Sequence, residues 1–132
     1  MTGTGVTIYF ADTGYTQFNS GSTVTLSAPT TAVTGTAPQP ANVLFFEKPG
    51  LSQSSFAFDT STYNFTGVIH LPSRNLTFNA GANVTSSSFL LVVNTLIFDS
   101  VTWNLTTGTS LASNGSGTTS TTTTTTVTSL TQ

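Results

Sequence analysis

The sequence has 132 residues, enough for one domain with its own core, and only six of them are charged, for a formal net charge of −2. Two basic residues cannot form the positive surface that attracts nucleic acids or anionic membranes, so the composition excludes both as partners. Because there is no cysteine, disulfides, thiolate metal sites and cysteine nucleophiles are also excluded.

The first half of the chain predicts strands and one long loop. Apolar and polar residues alternate in Val6–Phe10 and in Ser22–Leu26, as in strands with one buried face. Three of the five prolines fall in Ala28–Ala41, which predicts a loop outside the sheet. The run Val43–Phe46 is apolar throughout, as in a strand covered on both sides. Glu47–Gly50 then predicts a polar turn whose charged pair contacts solvent.

The second half repeats the same unit. Phe56–Phe65 alternates aromatic and polar residues, and the apolar runs Val68–Leu71 and Leu90–Val93 are each followed by an alternating segment rich in Asn and Thr. Pro72 is expected to end the strand that precedes it. The three apolar runs begin roughly 22 to 25 residues apart, which is typical of solenoid coils.

We therefore predict an all-β fold, a small β-solenoid (parallel β-helix) of about four coils, with a β-sandwich as the alternative. In a solenoid each strand pairs with its copy in the next coil, so the apolar runs would form an interior ladder while Asn and Thr line the outside. The body is expected at residues 1–117.

A Thr-rich tail is expected at residues 118–132. Its composition is typical of a glycosylated stalk or linker, but Thr is β-branched and also favours a strand. Such a strand could pair with a neighbouring subunit. The candidate assembly residues are Thr121, Thr123, Thr125, Val127 and Leu130.

Few side chains qualify for catalysis. Asp12, Asp59 and Asp99 are single acids that would align only if they occupied equivalent turns of successive coils, and turn aspartates that accept backbone N–H bonds are the favoured interpretation. His70 lies between Ile69 and Leu71, so strand alternation points it away from both, and no second histidine or catalytic serine pattern accompanies it. We expect no enzyme activity, no catalytic residue, no cofactor and no metal.

Two surface functions are suggested by the polar residues. Five Asn-x-Ser/Thr sequons are candidate glycosylation sites, although about three are expected from composition alone. They begin at Asn64, Asn75, Asn83, Asn104 and Asn114. A regular Thr ladder would suit ice binding, but Thr23-Val24-Thr25 has no clear counterpart at matching positions of the later repeats.

Several phrases follow one another between Gly5 and Leu105: GVTIYF, STVTLSAPT, NVLFF, GVIHLPSRNLTF and FLLVVNTLIFDSVTWNL. In these phrases and their order the chain resembles the C-terminal β-repeat region of TadG-like proteins, pilus-assembly surface proteins of bacterial tight-adherence systems. The resemblance covers about three quarters of the chain and implies a non-enzymatic role on the cell surface or in an appendage. Members of that family usually have an upstream membrane anchor and often late cysteines, neither of which is found in these 132 residues.

These features predict a non-enzymatic structural subunit of an extracellular filament or pilus-like, fimbrial surface appendage that assembles through exposed β edges. Its partners would be copies of itself in a homo-oligomer or homopolymer, with glycans as further candidates and without direct membrane insertion. A monomeric surface binding module for glycans or ice is the alternative, and a polysaccharide-active β-helix enzyme is the third. The nearly uncharged, Thr-, Ser- and Asn-rich composition favours an extracellular or cell-surface location, with the export signal outside this sequence.

Overall fold

The computed structural model describes residues 1–15, 18, 20–34, 40–59, 61–105 and 125–126. All regular structure in these residues is β, and nine strands belong to one sheet that coils on itself. The prediction of an all-β solenoid of about four turns is confirmed. The strands are β1 (Thr2–Thr4), β2 (Ile8–Phe10), β3 (Thr23–Ser27), β4 (Val43–Glu47), β5 (Ser54–Phe58), β6 (Thr62–Phe78), β7 (Asn83–Phe98), β8 (Thr102–Leu105) and β9 (Thr125–Thr126).

The strands stack in three ladders, which we call faces 1, 2 and 3. Face 1 contains β1, β3, residues 62–66 of β6, residues 83–88 of β7, and β8. Face 2 contains β2, β4 and residues 68–71 and 90–93. Face 3 contains β5 and residues 74–78 and 95–98. All described ladders are parallel except the one between β8 and β9.

The predicted apolar runs occupy one ladder, face 2. Val43 pairs with Val68, and Val68 pairs with Leu90, so the repeat inferred from the sequence is the coil repeat of the fold. β2, which lies within the predicted strand Val6–Phe10, joins the same ladder, since Ile8 pairs with Phe45. The predicted loop at Ala28–Ala41 contains no strand in its described residues, 28–34 and 40–41.

The alternating segment Phe56–Phe65 is divided between two faces: Phe56 and Phe58 belong to β5 on face 3, whereas Tyr63 and Phe65 belong to β6 on face 1. The prediction that Pro72 ends a strand is wrong, since β6 continues through it to Phe78. Pro72 is exposed and lies in the interval, after Leu71, where the ladder to β7 shifts register, so its missing N–H costs no ladder hydrogen bond.

The core is aromatic and lies inside the coils. Buried residues alternate along β6, so that every second side chain points inward. Phe58 is the centre of this core, with ring centroids 4.8 Å from Phe78 and 5.1 Å from both Phe56 and Tyr63. Three further rings pack against it at 5.5 to 6.1 Å: Phe65 from face 1, Phe45 from face 2, and Phe18 from outside the strands.

Candidate functional site

In the part of the chain that the structure describes, no further coil covers the last complete coil at one end of the solenoid. Residues 90–98 of β7 pair with β6 on one side and with no described strand on the other. Side chains that are buried in the third coil therefore have partners at the surface. The exposed fraction rises from 0% at Leu76 to 38% at its partner Leu96, and from 0% at Phe78 to 48% at its partner Phe98. We call residues 90–98 the open end.

The N-terminal end of the solenoid differs from the open end on face 3. Phe56 and Phe58 of β5, the first strand of this face, are buried beneath other rings. Phe10 meets Phe56 edge-on at a centroid distance of 5.4 Å, and Phe18 stacks on Phe58 at 6.1 Å. On faces 1 and 2, β1 and β2 each pair with one described strand, and the second edge of each pairs with none of the described strands.

Face 1 presents columns of hydroxyl and amide side chains on its outer surface, and we call it the hydroxyl face. One column is formed by Thr2, Thr25, Asn64, Thr85 and Asn104, one residue per coil. A second is formed by Thr23, Thr62, Asn83 and Thr102. The expectation that Thr23-Val24-Thr25 lacks a clear counterpart is confirmed, because Asn replaces one of the two Thr residues at the matching positions of each later coil.

Face 2 bears a column of rings on its outer surface. Tyr9 stacks on Phe46 with centroids 6.0 Å apart, and Phe46 stacks on His70 at 5.6 Å. As alternation predicted, His70 points away from Ile69 and Leu71, which are both fully buried. The Nδ1 atom of His70 is buried and has no hydrogen-bond partner. The ring packing gives this histidine a structural environment.

The charged pair of the predicted polar turn is not solvated as a pair. Lys48 is exposed, but Glu47 ends β4 with only 2% exposure. One carboxylate oxygen of Glu47 accepts from Arg74 Nε at 3.2 Å, and the other accepts from the backbone N–H of Ser73. The prediction of turn chemistry fails for Glu47 because Arg74, 27 residues later, supplies a buried partner.

The three aspartates do not form one group. Asp12 Oδ1 accepts from the backbone N–H of Gly14 at 2.8 Å, as expected of a turn aspartate. Asp59, Asn79 and Asp99 each follow the paired residues 58, 78 and 98, so they occupy one corner of successive coils. Asp59 Oδ1 accepts from Asn79 Nδ2 at 2.8 Å. Among the residues described, no three His, Asp or Glu side chains lie close enough to hold a metal.

Strand alternation determines which side chains of the sequons point outward. In Asn64-Phe65-Thr66 the Asn and Thr point outward while Phe65 is buried in the core, and the sequon at Asn75 repeats this pattern around a buried Leu76. Asn75 Oδ1 accepts from three neighbours, Gln53 at 3.0 Å, Asn94 at 2.7 Å and Thr95 at 2.9 Å. Asn64 and Asn83 are half-buried, Asn104 is exposed, and Asn114 lies outside the described residues.

One of the five candidate assembly residues lies in a described strand. Thr125 of β9 pairs antiparallel with Leu105 of β8, and Thr126 pairs with Asn104. This part of the tail thus adds a strand to face 1 of its own chain. Thr121, Thr123, Val127 and Leu130 lie outside the described residues, as does the proposed boundary at residue 117.

Comparison with protein-family models, with curated proteins and with solved structures finds no match to this chain. Within the residues that the structure describes, no helix has the length and apolarity needed to cross a membrane. The function must therefore be argued from the surfaces described above.

The sequence analysis predicted exposed β edges but did not assign residues 90–98 to one of them. The signal was present in Leu96-Ile97-Phe98, an apolar triplet in the last repeat, together with the lack of another apolar run soon after Leu105. Each earlier apolar run is followed, about one coil later, by another apolar run that pairs with it. In the sequence no such run follows residues 90–93.

Proposed function

We propose that this protein is a non-enzymatic structural subunit that assembles end to end, through its coil edges, into an extracellular filament or surface appendage. The observation that carries the proposal is the open end, where a backbone edge unpaired in the described structure coincides with exposed apolar side chains. Leu90, Leu96, Ile97 and Phe98 are 43%, 38%, 53% and 48% exposed. Long apolar edges of this kind pair with another chain unless they are covered or charged.

The two ends of the solenoid differ, which favours a polymer. The open end offers faces 2 and 3 of β7, whereas the N-terminal end offers those edges of β1 and β2 that pair with no described strand. A contact between two different surfaces is heterologous and, unless its rotation closes a ring, produces an open filament. None of the charged residues lies within residues 90–98, so charge does not oppose the contact.

The charged residues support a non-enzymatic role. Arg74 and Glu47 are buried in hydrogen bonds to each other and to backbone groups, and Asp12 accepts a hydrogen bond within its own turn. Asp59 is hydrogen bonded to Asn79. General acid–base catalysis in a carbohydrate-active site needs carboxylates that can reach substrate and exchange protons. The described acids are committed mainly to structural contacts.

Negative-stain electron microscopy and sedimentation velocity at near-neutral pH test the proposal. The full chain should form long fibres of uniform width. The double variant Leu96→Lys/Ile97→Lys places two charges on the open end and should sediment as a single chain. Thr77→Lys is the matched control, because it adds a charge at the outer position of face 3 one coil earlier, where both edges are paired, and it should still form fibres.

Other outcomes would redirect the proposal. Small monodisperse particles from the full chain over a wide concentration range would overturn it. A discrete dimer would indicate that two open ends pair with each other and close. Truncation after Gly117 tests the tail separately: loss of fibres on truncation alone would assign the inter-subunit contact to residues 118–132.

A further inference from the structure

The hydroxyl face contains a groove of about 210 Å³ that begins at β1, at the N-terminal end of the solenoid, and does not include the open end. It spans four successive strands, β1, β3, β6 and β7, so its length follows the solenoid axis. Its lining residues are Thr2, Gly3, Thr4, Thr25, Leu26, Ser27, Asn64, Phe65, Thr66 and Thr85. Most of these are outward-facing hydroxyl or amide residues of face 1.

Two parallel columns of polar side chains line the groove. One contains Thr2, Thr25, Asn64 and Thr85, and the other begins at Thr4 and continues with Ser27 and Thr66. Adjacent strands are about 4.8 Å apart, so similar hydroxyl and amide groups recur at that interval along the axis. A ligand lying in the groove would thus meet similar groups at each coil, as suits a chain of repeating units.

The residues that line the groove are uncharged, and the surface that they expose in it is more apolar than polar. None of the six charged residues of the chain lies among those that line it. Threonine offers a hydroxyl and a methyl group together, and Asn offers an amide donor and acceptor. Anionic polymers are bound through Arg and Lys, which the groove does not contain. Hydroxyl groups and C–H surfaces are what a neutral sugar presents.

A hydrogen bond between coils fixes the middle of the groove. Asn64 Nδ2 donates to Thr25 Oγ1 at 3.2 Å. This contact orients both side chains and leaves the Asn64 carbonyl oxygen as an acceptor and the Thr25 hydroxyl proton as a donor. Groups held in place before binding lose less entropy when a ligand arrives.

From these observations we infer that the hydroxyl face is a binding site for an extended, neutral polysaccharide chain that lies along the solenoid axis. This site uses the side chains of face 1 rather than the open end, and it shares only β1 with the surfaces proposed for end-to-end assembly. In an assembled filament the grooves of successive subunits would add to the avidity for one long chain. A hydroxyl lattice also suits ice, but the surface here is concave rather than planar, which favours a chain.

Affinity electrophoresis and pull-down with the full chain test the inference. The probes are hydroxyethyl cellulose, glucomannan, starch, a soluble β-1,3-glucan, insoluble cellulose and chitin, with alginate as the anionic comparison. At least one neutral probe should bind, and alginate should not. Thr25→Val/Thr85→Val removes two groove hydroxyls without changing side-chain shape and should weaken binding about tenfold or more.

The matched control is Ser55→Ala/Thr77→Val, which removes two outward hydroxyls from face 3 outside the open end and should bind as the unmodified chain does. Binding that survives the groove variant, or that is lost equally in the control, would overturn the assignment. No retention on any neutral probe would also overturn it. Shaping of ice crystals, lost in the groove variant, with no polysaccharide binding would reassign the face to the water lattice.

Discussion

Arg74 joins Glu47 to a turn more than 60 residues away in the sequence. Its Nε donates to Glu47 Oε2 at 3.2 Å, while its terminal nitrogens donate to the carbonyl oxygens of Thr13 at 2.8 Å and Asp12 at 2.7 Å. The guanidinium also lies 5.3 Å from the ring centroid of Phe10. Arg74 therefore holds the turn that follows β2 against the second and third coils.

Replacing Arg74 with Met should destabilise the fold by about 3–5 kcal/mol, because the carboxylate of Glu47 would remain buried without its charged partner. Urea unfolding followed by circular dichroism measures this free energy. The double variant Arg74→Met/Glu47→Gln should recover part of the loss, since it removes the unpaired charge. Lys48→Met is the exposed control and should change stability by less than about 0.5 kcal/mol. Equal stability of Arg74→Met and the parent would show that the pair contributes nothing.

Replacing Phe58 with Ala should cost about 3–5 kcal/mol, because a cavity would open at the centre of the aromatic core. Phe98→Ala removes the same side chain from the open end of the same column, where 48% of it is exposed, and should cost about 1–2 kcal/mol. Thermal and urea unfolding of both variants give the comparison. A cost at Phe98 as large as at Phe58 would mean that the open end is covered in solution.

Replacing Gly67 with Ala should destabilise the chain by at least about 2 kcal/mol. Gly67 has a φ of 129°, and a Cβ there would lie 2.6 Å from the Cβ of Ala28 and 3.0 Å from the carbonyl oxygen of Asn42. Gly50→Ala is the control: its φ is also positive, at 79°, but the space around it is open. It should cost only about 1 kcal/mol, and a similar loss for both variants would contradict the close contact at Gly67.

Alkaline pH should destabilise the fold through Tyr63. Burial raises the pKa of its phenol above the usual value of 10.0, the charge of Asp59 raises the pKa further, and a hydrogen bond with Ser61 opposes both. The stability it contributes is complete below the unfolded-state pKa, near 10, and falls as pH rises from there through the raised folded-state pKa. Urea midpoints between pH 8 and 11.5 measure the effect.

The control for the alkaline effect is Tyr63→Phe. It removes the titrating group together with the bond that the phenol donates to the Asp59 carbonyl at 2.7 Å. Its stability should be about 1 kcal/mol lower at pH 8 and should fall less steeply above pH 10 than that of the parent. An unchanged slope would assign the alkaline loss to other groups.

The coil repeat could be predicted because its signal is local. Runs such as Val43–Phe46 and Val68–Leu71 are visible as apolar stretches, and a constant spacing between them is enough to imply stacking. The outward position of His70 followed from alternation alone. Both features depend only on the order of residues within a strand and on the spacing between strands, and both can be read from the sequence.

Features that depend on distant partners could not be predicted. Glu47 resembled a solvated turn residue because nothing near it in sequence indicates that Arg74 will bury it. The register that places Thr25 beside Asn64 depends on the insertion between β3 and β4, which lengthens that coil and obscures the Thr repeat. Pro72 was predicted to end a strand because proline cannot donate a ladder hydrogen bond, but at this corner of the solenoid no such bond is lost.

The parallel stacking of coils also has a consequence for how this chain folds. Strand partners are separated in sequence by 19 residues at Asn83 and Thr102 and by 39 at Thr23 and Thr62, so no parallel ladder can begin from a tight turn. Proteins dominated by such non-local pairing fold in milliseconds to seconds rather than microseconds. Once two coils are paired, each further coil can pair with a strand edge that is already in place. A chain synthesised from its amino terminus would then add coils in one direction. The last coil to form would expose an apolar edge until the next coil paired with it.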